Sequence, residues 1–209
     1  MLIIWMLPFS AFPQHVKFPK GVYRSLEELR LMQPSDHRDV LIETKKCAYD
    51  VTETPRCIYG IVATEAWVDP SEIVKVVWAY SNGDSLFLNC RHFKKLHSQY
   101  ALALSGNRYF TFYAFSGNSA AYVPAIILGG AVGAAIVGGV KAASTGDEVA
   151  LYVLDSNTGD VNYVDSEFMF NFLSKAYPAL ISKYNKEPFR NRSATHLKYF
   201  EMINNGETN

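Results

Sequence analysis

Residues 99–115 read QYALALSGNRYFTFYAF, and they predict two β-strands joined by a tight turn. The Ser105-Gly106-Asn107 step supplies turn residues between two runs rich in aromatic and aliphatic side chains. In the second run, Tyr109, Thr111 and Tyr113 alternate with Phe110, Phe112 and Ala114. Because neighbouring side chains on a strand point to opposite faces, one face is expected to be apolar and the other aromatic with hydroxyl groups.

The hydroxyl-bearing face carries one candidate for ligand binding. Tyr109 and Tyr113 would line a groove if their face of the sheet were exposed to solvent. Packing of these rings against neighbouring strands is the interpretation that we favour from the sequence.

Two further hairpins are predicted on either side of this one. An Asn82-Gly83 step separates strands predicted at Val74–Tyr80 and Ser85–Cys90, and Asn157–Gly159 separates Val149–Asp155 from Asp160–Val164. Weaker β-type patterns at Val40–Asp50 and Arg56–Thr64 predict one more pair of strands.

Helix signals occur once near the start of the chain and three times toward its end. Ser25 and Glu28 form a capping box for a short early helix, and Asp165 caps a helix expected to end near Ala176. Pro178 suits the first turn of another helix, and Ser193–Ile203 predicts a third. The prediction is a single α+β domain over residues 20–209, with a mainly antiparallel sheet and C-terminal helices.

The apolar segment, residues 123–140, consists almost wholly of Ala, Val, Ile, Leu and Gly. As a helix inserted before the last hairpin, it would present small residues for close helix packing or membrane contact: Gly129, Gly130, Gly133, Ala134 and Gly138. Eighteen residues rise roughly 27 Å, close to the roughly 30 Å hydrocarbon core of a bilayer.

A single membrane crossing would place the first two predicted hairpins and the third on opposite sides of the bilayer. Three interpretations therefore stay open for the apolar segment: a helix buried against the sheet or a second copy, a membrane-inserting or membrane-lying helix, and an apolar loop or strand pair.

The N-terminal residues 1–14 predict a secretory signal peptide, because they are uncharged apart from a terminal amine and mostly apolar, with small residues near Ser10. The expected location is therefore periplasmic or envelope-associated. In an exported protein, Cys47 and Cys57 could form a disulfide; three buried thiols, with Cys90, are the alternative we favour from the sequence.

Composition argues against several function classes. Twenty basic and twenty acidic residues cancel, so no basic surface for nucleic acid is expected. None of the common catalytic or phosphate-binding motifs occurs in the sequence, and we expect neither a cofactor nor a metal. Cys90, His92 and His97 are better explained by a turn than by a metal site, and Asp155–Asp160 by a hairpin turn than by a calcium loop.

Three blocks resemble a family of uncharacterised exported proteins of Gram-negative bacteria. The blocks are Gly21–Leu29, Asp84–Cys90 continuing to Asn107–Phe110, and Tyr152–Asp155 with Thr158-Gly159; Leu173–Leu180 is similar to the helical tail of that family. The resemblance implies export and a Gly-rich segment before the third hairpin, and it implies no activity or cofactor.

The leading hypothesis is a non-enzymatic envelope protein whose Gly-rich helix mediates self-association or membrane contact. A soluble ligand-binding module using Tyr109 and Tyr113 is the alternative, and an enzyme with an unrecognised site ranks third. A small-molecule ligand cannot be specified from these residues.

Overall fold

The computed structural model describes residues 17–48, 56–64, 73, 75–93, 96, 99–115 and 149–208. Across these residues the chain forms one nine-stranded sheet in which every pairing is antiparallel. The strands are β1 (Gly21–Tyr23), β2 (Val40–Ala48), β3 (Arg56–Ala63), β4 (Ala79–Ser81), β5 (Leu86–Asn89), β6 (Tyr100–Ser105), β7 (Tyr109–Phe115), β8 (Val149–Asp155) and β9 (Val161–Tyr163).

The main path of the sheet runs β1-β4-β5-β6-β7-β8-β9. Strand β6 has β5 on one side, and residues at its start also pair with β3, while residues at its end pair with β7. The β2–β3 hairpin is therefore joined to the main path through only two residue pairs, Ile58↔Ala101 and Tyr59↔Tyr100.

The three predicted hairpins are confirmed as β4–β5, β6–β7 and β8–β9. Gly83 and Gly159 adopt positive φ angles of 99° and 79° in the first and third turns, a conformation that glycine reaches without strain. The middle hairpin departs from regular pairing, because Ala103 pairs with Phe112 but Ser105 pairs with Thr111, which leaves Leu104 as a β-bulge.

The helices are α1 (Leu26–Arg30), α2 (Ser166–Ala176), α3 (Pro178–Asn185) and α4 (Ser193–Asn204). The predicted caps are present: Ser25 Oγ accepts from Glu28 N at 3.1 Å, and Asp165 Oδ1 accepts from Phe168 N at 2.8 Å. Glu28 Oε2 reaches back to Arg24 N, one residue before the cap.

The sheet is buried on both faces. Phe110, Phe112 and Ala114 of β7 belong to a core shared with Tyr23, Leu88 and Leu154, so the two ends of the main path curl around one cluster. On the opposite face, Tyr109, Tyr113 and Phe115 pack against α2, α3 and α4. On the same face as these helices, the part of the sheet formed by β1, β4 and β5 carries Val22, Tyr80 and Phe87. The β2–β3 hairpin covers this part together with Ile73 and Val77.

One predicted strand is wrong over much of its length. Val74–Tyr80 was expected to be extended, but residues 73, 75 and 76 are helical, Val77 N donates to Ile73 O at 3.1 Å, and the strand begins at Ala79. Ile73 and Val77 are four residues apart and both buried, so the apolar run serves a helical turn before the strand.

The preference for three buried thiols is also wrong. Cys47 and Cys57 form a disulfide across neighbouring strands, with their Cα atoms 4.0 Å apart and directly paired in the β2–β3 register. Cys90 remains a free, buried thiol.

Candidate functional site

The two strands that flank the apolar segment in the sequence meet at one end of the sheet. Phe115 is the last residue of β7, Val149 is the first of β8, and the two are directly paired. The intervening residues 116–148, including Gly129, Gly130, Gly133, Ala134 and Gly138, lie outside the described residues, as do residues 1–14. The predicted Gly-rich helix and signal peptide therefore stay predictions.

The pairing of Phe115 with Val149 constrains the topology of any membrane contact. The chain leaves the sheet and returns to it at adjacent positions, so a single crossing of a bilayer is incompatible with the intact β7–β8 pair. Within the described ranges, no helix combines the length and apolar character needed to span a membrane.

A buried glutamine lies beside this exit point. Gln99 is 5% exposed, and its Nε2 donates to Phe115 O at 3.3 Å. Its Oε1 is buried, and no described residue forms a hydrogen bond with it. The end of β7 is therefore held by a side chain whose hydrogen-bonding capacity is only partly used.

The other end of β7 is held more tightly. Asn204, the last residue of α4, accepts a hydrogen bond from Tyr109 N at 3.0 Å and donates one to Tyr109 O at 2.8 Å. Tyr109 also contacts Phe172 and Phe200 with its ring, and Tyr177 donates to its hydroxyl at 3.4 Å. Burial raises the pKa of Tyr109.

Tyr109 and Tyr113 do not lie on an exposed sheet face, so the condition for a ligand groove on that face is not met. They are 4% and 5% exposed and belong to the core beneath the C-terminal helices. A ligand on this face would have to displace the helices, so the structure favours the packing interpretation for these two rings.

A cavity of 310 Å³, hereafter the α4 pocket, opens at this end of the sheet. Its apolar wall includes Phe18, Leu86 and Phe110, and its other walls come from the β4–β5 turn, the bulged end of β6 and the last turn of α4. Gly106 lines the pocket where the Phe110 ring lies against its Cα, so a side chain at this position would overlap the ring.

The charged side chains of the α4 pocket are all acidic. Asp84 and Glu201 line the cavity, and no Lys or Arg does. Asn204 is fixed by Tyr109, and Ser105 Oγ is hydrogen-bonded to Thr111 Oγ1 at 2.7 Å. The pocket thus combines an apolar wall with two carboxylates and polar side chains of which Asn204 and Ser105 already have partners.

The acidic residues between Glu27 and Glu43 serve structural roles. Asp36 is 8% exposed and forms ion pairs with Arg38 at 2.6 Å and Arg24 at 2.8 Å. Hydrogen bonds from Arg38 outweigh the effect of burial and hold the pKa of Asp36 well below its usual value. Lys20 pairs with Asp39 at 2.7 Å, so Asp36 and Asp39 each have a basic partner.

The described cysteine and histidine near the end of β5 lie in different environments. Cys90 is fully buried, which raises the pKa of its thiol, whereas His92 is exposed and stacks on Trp78. His97 lies outside the described residues, and the part of the chain that is described contains no group of three potential metal-binding side chains. Asp155–Asp160 is a hairpin turn as predicted, closed by Asp155 N donating to Asp160 O at 3.0 Å.

Comparison with known proteins places the chain in a family. Residues 21–207 match a family of unknown function, DUF6563. The chain belongs to this family. The match begins at β1 and extends past α4, so the DUF6563 domain includes the whole described sheet, the apolar segment and every residue that lines the α4 pocket except Phe18. No curated protein and no solved structure matches the chain.

Proposed function

We propose that this DUF6563 protein is a non-enzymatic protein of the Gram-negative cell envelope whose apolar segment, residues 123–140, mediates self-association or contact with a membrane. The observation that carries the proposal is the direct pairing of Phe115 with Val149. A long, mostly apolar insertion between paired strands is not needed to join them, since a short turn would suffice.

Residues 116–148 separate two strands that pair over seven residues of each. Relative to a four-residue loop, the entropic cost of closing this insertion is larger by about 2 kcal/mol. Between Arg108 and Lys141, moreover, tyrosines are the only ionisable side chains. A segment of this composition gains free energy only where an apolar surface removes it from water.

A single membrane crossing would split the sheet, and the pairing of Phe115 with Val149 argues against such a crossing. Phe115 and Val149 lie side by side at one end of the sheet, so we expect the segment between them to contact a membrane or a second copy from that side. The Cys47–Cys57 disulfide supports an exported location, because disulfides persist mainly in oxidising compartments.

The first experiment replaces residues 116–148 with Asn-Gly-Asp-Ser, the four residues that join Ser81 to Leu86 in the β4–β5 hairpin. We expect the variant to keep the fold and to lose both sedimentation as an oligomer and flotation with phosphatidylethanolamine–phosphatidylglycerol vesicles. A full-length chain that is monomeric and does not bind these vesicles would contradict the proposal.

A second set of variants distinguishes self-association from membrane contact. Gly130→Leu with Gly138→Leu adds apolar surface but prevents close approach of another backbone. The matched control is Val132→Leu with Ile136→Leu, which changes two residues outside the set of small residues. Loss of the oligomer only in the glycine variants indicates self-association; vesicle binding that persists in both pairs and disappears in Ala134→Lys indicates membrane contact.

A further inference from the structure

A second site lies at the opposite end of β7, and it does not depend on the apolar segment. We propose that the α4 pocket binds a small organic cation, namely an amine attached to a short apolar chain. The pocket volume of 310 Å³ is at the lower end of the range of small-molecule sites, roughly 300–1,000 Å³.

The apolar part of the ligand would contact Phe18, Leu86 and Phe110, which are at most 6% exposed and belong to the core. The bulge at Leu104 contributes to this wall, because the extra residue separates the end of β6 from regular pairing with β7. Bulges of this kind redirect side chains and occur frequently beside binding sites.

The charged residues that line the pocket indicate the charge of the ligand. Asp84 and Glu201 are the charged residues of the pocket, so an anion would meet two like charges. Glu201 also lies in the last turn of α4, which contains no basic residue. A carboxylate is unfavourable there because the helix end carries negative partial charge, and a bound cation would offset this repulsion.

Two polar side chains of the pocket, Asn204 and Ser105, already have hydrogen-bond partners. Both groups of the Asn204 amide are used by the backbone of Tyr109, and Ser105 is paired with Thr111. These side chains shape the pocket without offering their main hydrogen-bonding groups. The positive charge of an ammonium group is therefore the feature that Asp84 and Glu201 would recognise.

The test uses three probes of equal chain length: hexylamine, hexanol and hexanoate. Each is titrated into the ¹⁵N-labelled full-length protein while the amide signals of Gly106 and Asn205 are followed. We expect hexylamine to shift these signals in a saturable manner that weakens with added salt, and hexanoate to have no effect.

Charge-removing variants then assign the effect to the pocket. Glu201→Gln and Asp84→Asn should each weaken hexylamine binding about fivefold, the upper range for a solvent-exposed ion pair. Glu167→Gln, an exposed residue in the first turn of α2, removes the same charge elsewhere and should leave the affinity unchanged.

Three results would overturn the proposal: no saturable shift with hexylamine, equal binding of hexanol, or an unchanged affinity in both pocket variants. The dispersion of the amide spectrum reports whether each variant is folded. Since the replacement of residues 116–148 leaves the pocket residues unchanged, that variant should bind hexylamine even if the proposed role of the apolar segment is wrong.

Discussion

The two ends of β7 differ in how the chain continues and in how each end is held. At Tyr109 the preceding turn is three residues long, and Asn204 binds both backbone groups of the tyrosine. At Phe115 the chain departs for residues 116–148, and the Gln99 side chain donates a single hydrogen bond to the backbone. A strand of seven residues separates the ends by roughly 20 Å.

The comparison shows that the β7–β8 register does not depend on a short connection. All seven residues of β7 are paired with β8, from Tyr109↔Asp155 to Phe115↔Val149. Side chains on both faces of β7 are buried in two different cores. A slip of one residue would exchange these faces, so burial determines the register even where the connection is long.

The largest loss of stability is expected for a substitution in the middle of β7, between the two ends. Phe112→Ala should lower the free energy of unfolding by about 3–5 kcal/mol, because the ring is fully buried between Phe93 and Tyr152. Urea unfolding followed by circular dichroism measures the loss. Phe170→Ala, which removes a ring that is 46% exposed on α2, is the control and should cost less than about 1 kcal/mol.

The difference between the ends can be measured directly. Asn204→Ala leaves two backbone groups of Tyr109 without their partner and should cost about 2 kcal/mol in the same assay. Gln99→Ala removes one hydrogen bond together with the unpartnered Oε1, so its cost should be about 1 kcal/mol or less. Equal losses would show that the two ends are held equally well.

The smallest effect concerns the Tyr109 hydroxyl. Its hydrogen bond with Tyr177 is long, so Tyr109→Phe should change stability near neutral pH by less than about 1 kcal/mol. The raised pKa of Tyr109 favours the neutral phenol in the folded state. The stability that the neutral Tyr109 phenol contributes is therefore fully present below the unfolded pKa of about 10. It is lost as pH rises toward the higher pKa of the folded state.

Alkaline unfolding curves test this sign. Tyr109→Phe should lose less stability than the parent protein as pH rises above about 10. Tyr23→Phe should behave similarly, because burial raises the pKa of Tyr23 to about 12. Parallel alkaline curves for the parent and Tyr109→Phe would contradict the inferred burial of the hydroxyl.

The local elements were largely predictable from the sequence. The Asn-Gly and Thr-Gly turns, the Ser25 and Asp165 caps and Pro178 at the start of α3 act through neighbouring residues, so a single sequence reveals them. The helical turn at Ile73–Val77 was missed because a short β-branched run suits either a strand or a buried turn of helix.

The long-range arrangement could not be read from the same patterns. Alternation divided β7 into two faces, but it did not indicate that α2, α3 and α4 cover Tyr109 and Tyr113. The α4 pocket combines Asp84 from a turn with Glu201 from a helix more than a hundred residues later. The sequence feature that came nearest to indicating this pocket was the acidic residue in the last turn of α4, where a basic residue is usual.

The disulfide between β2 and β3 has a consequence for proteolysis. Cys47 and Cys57 enclose the connection of that hairpin. Cleavage of any peptide bond between the two cysteines would leave both fragments covalently joined. The cut protein would therefore migrate as one species on a non-reducing gel and separate into two only after the thiols are reduced.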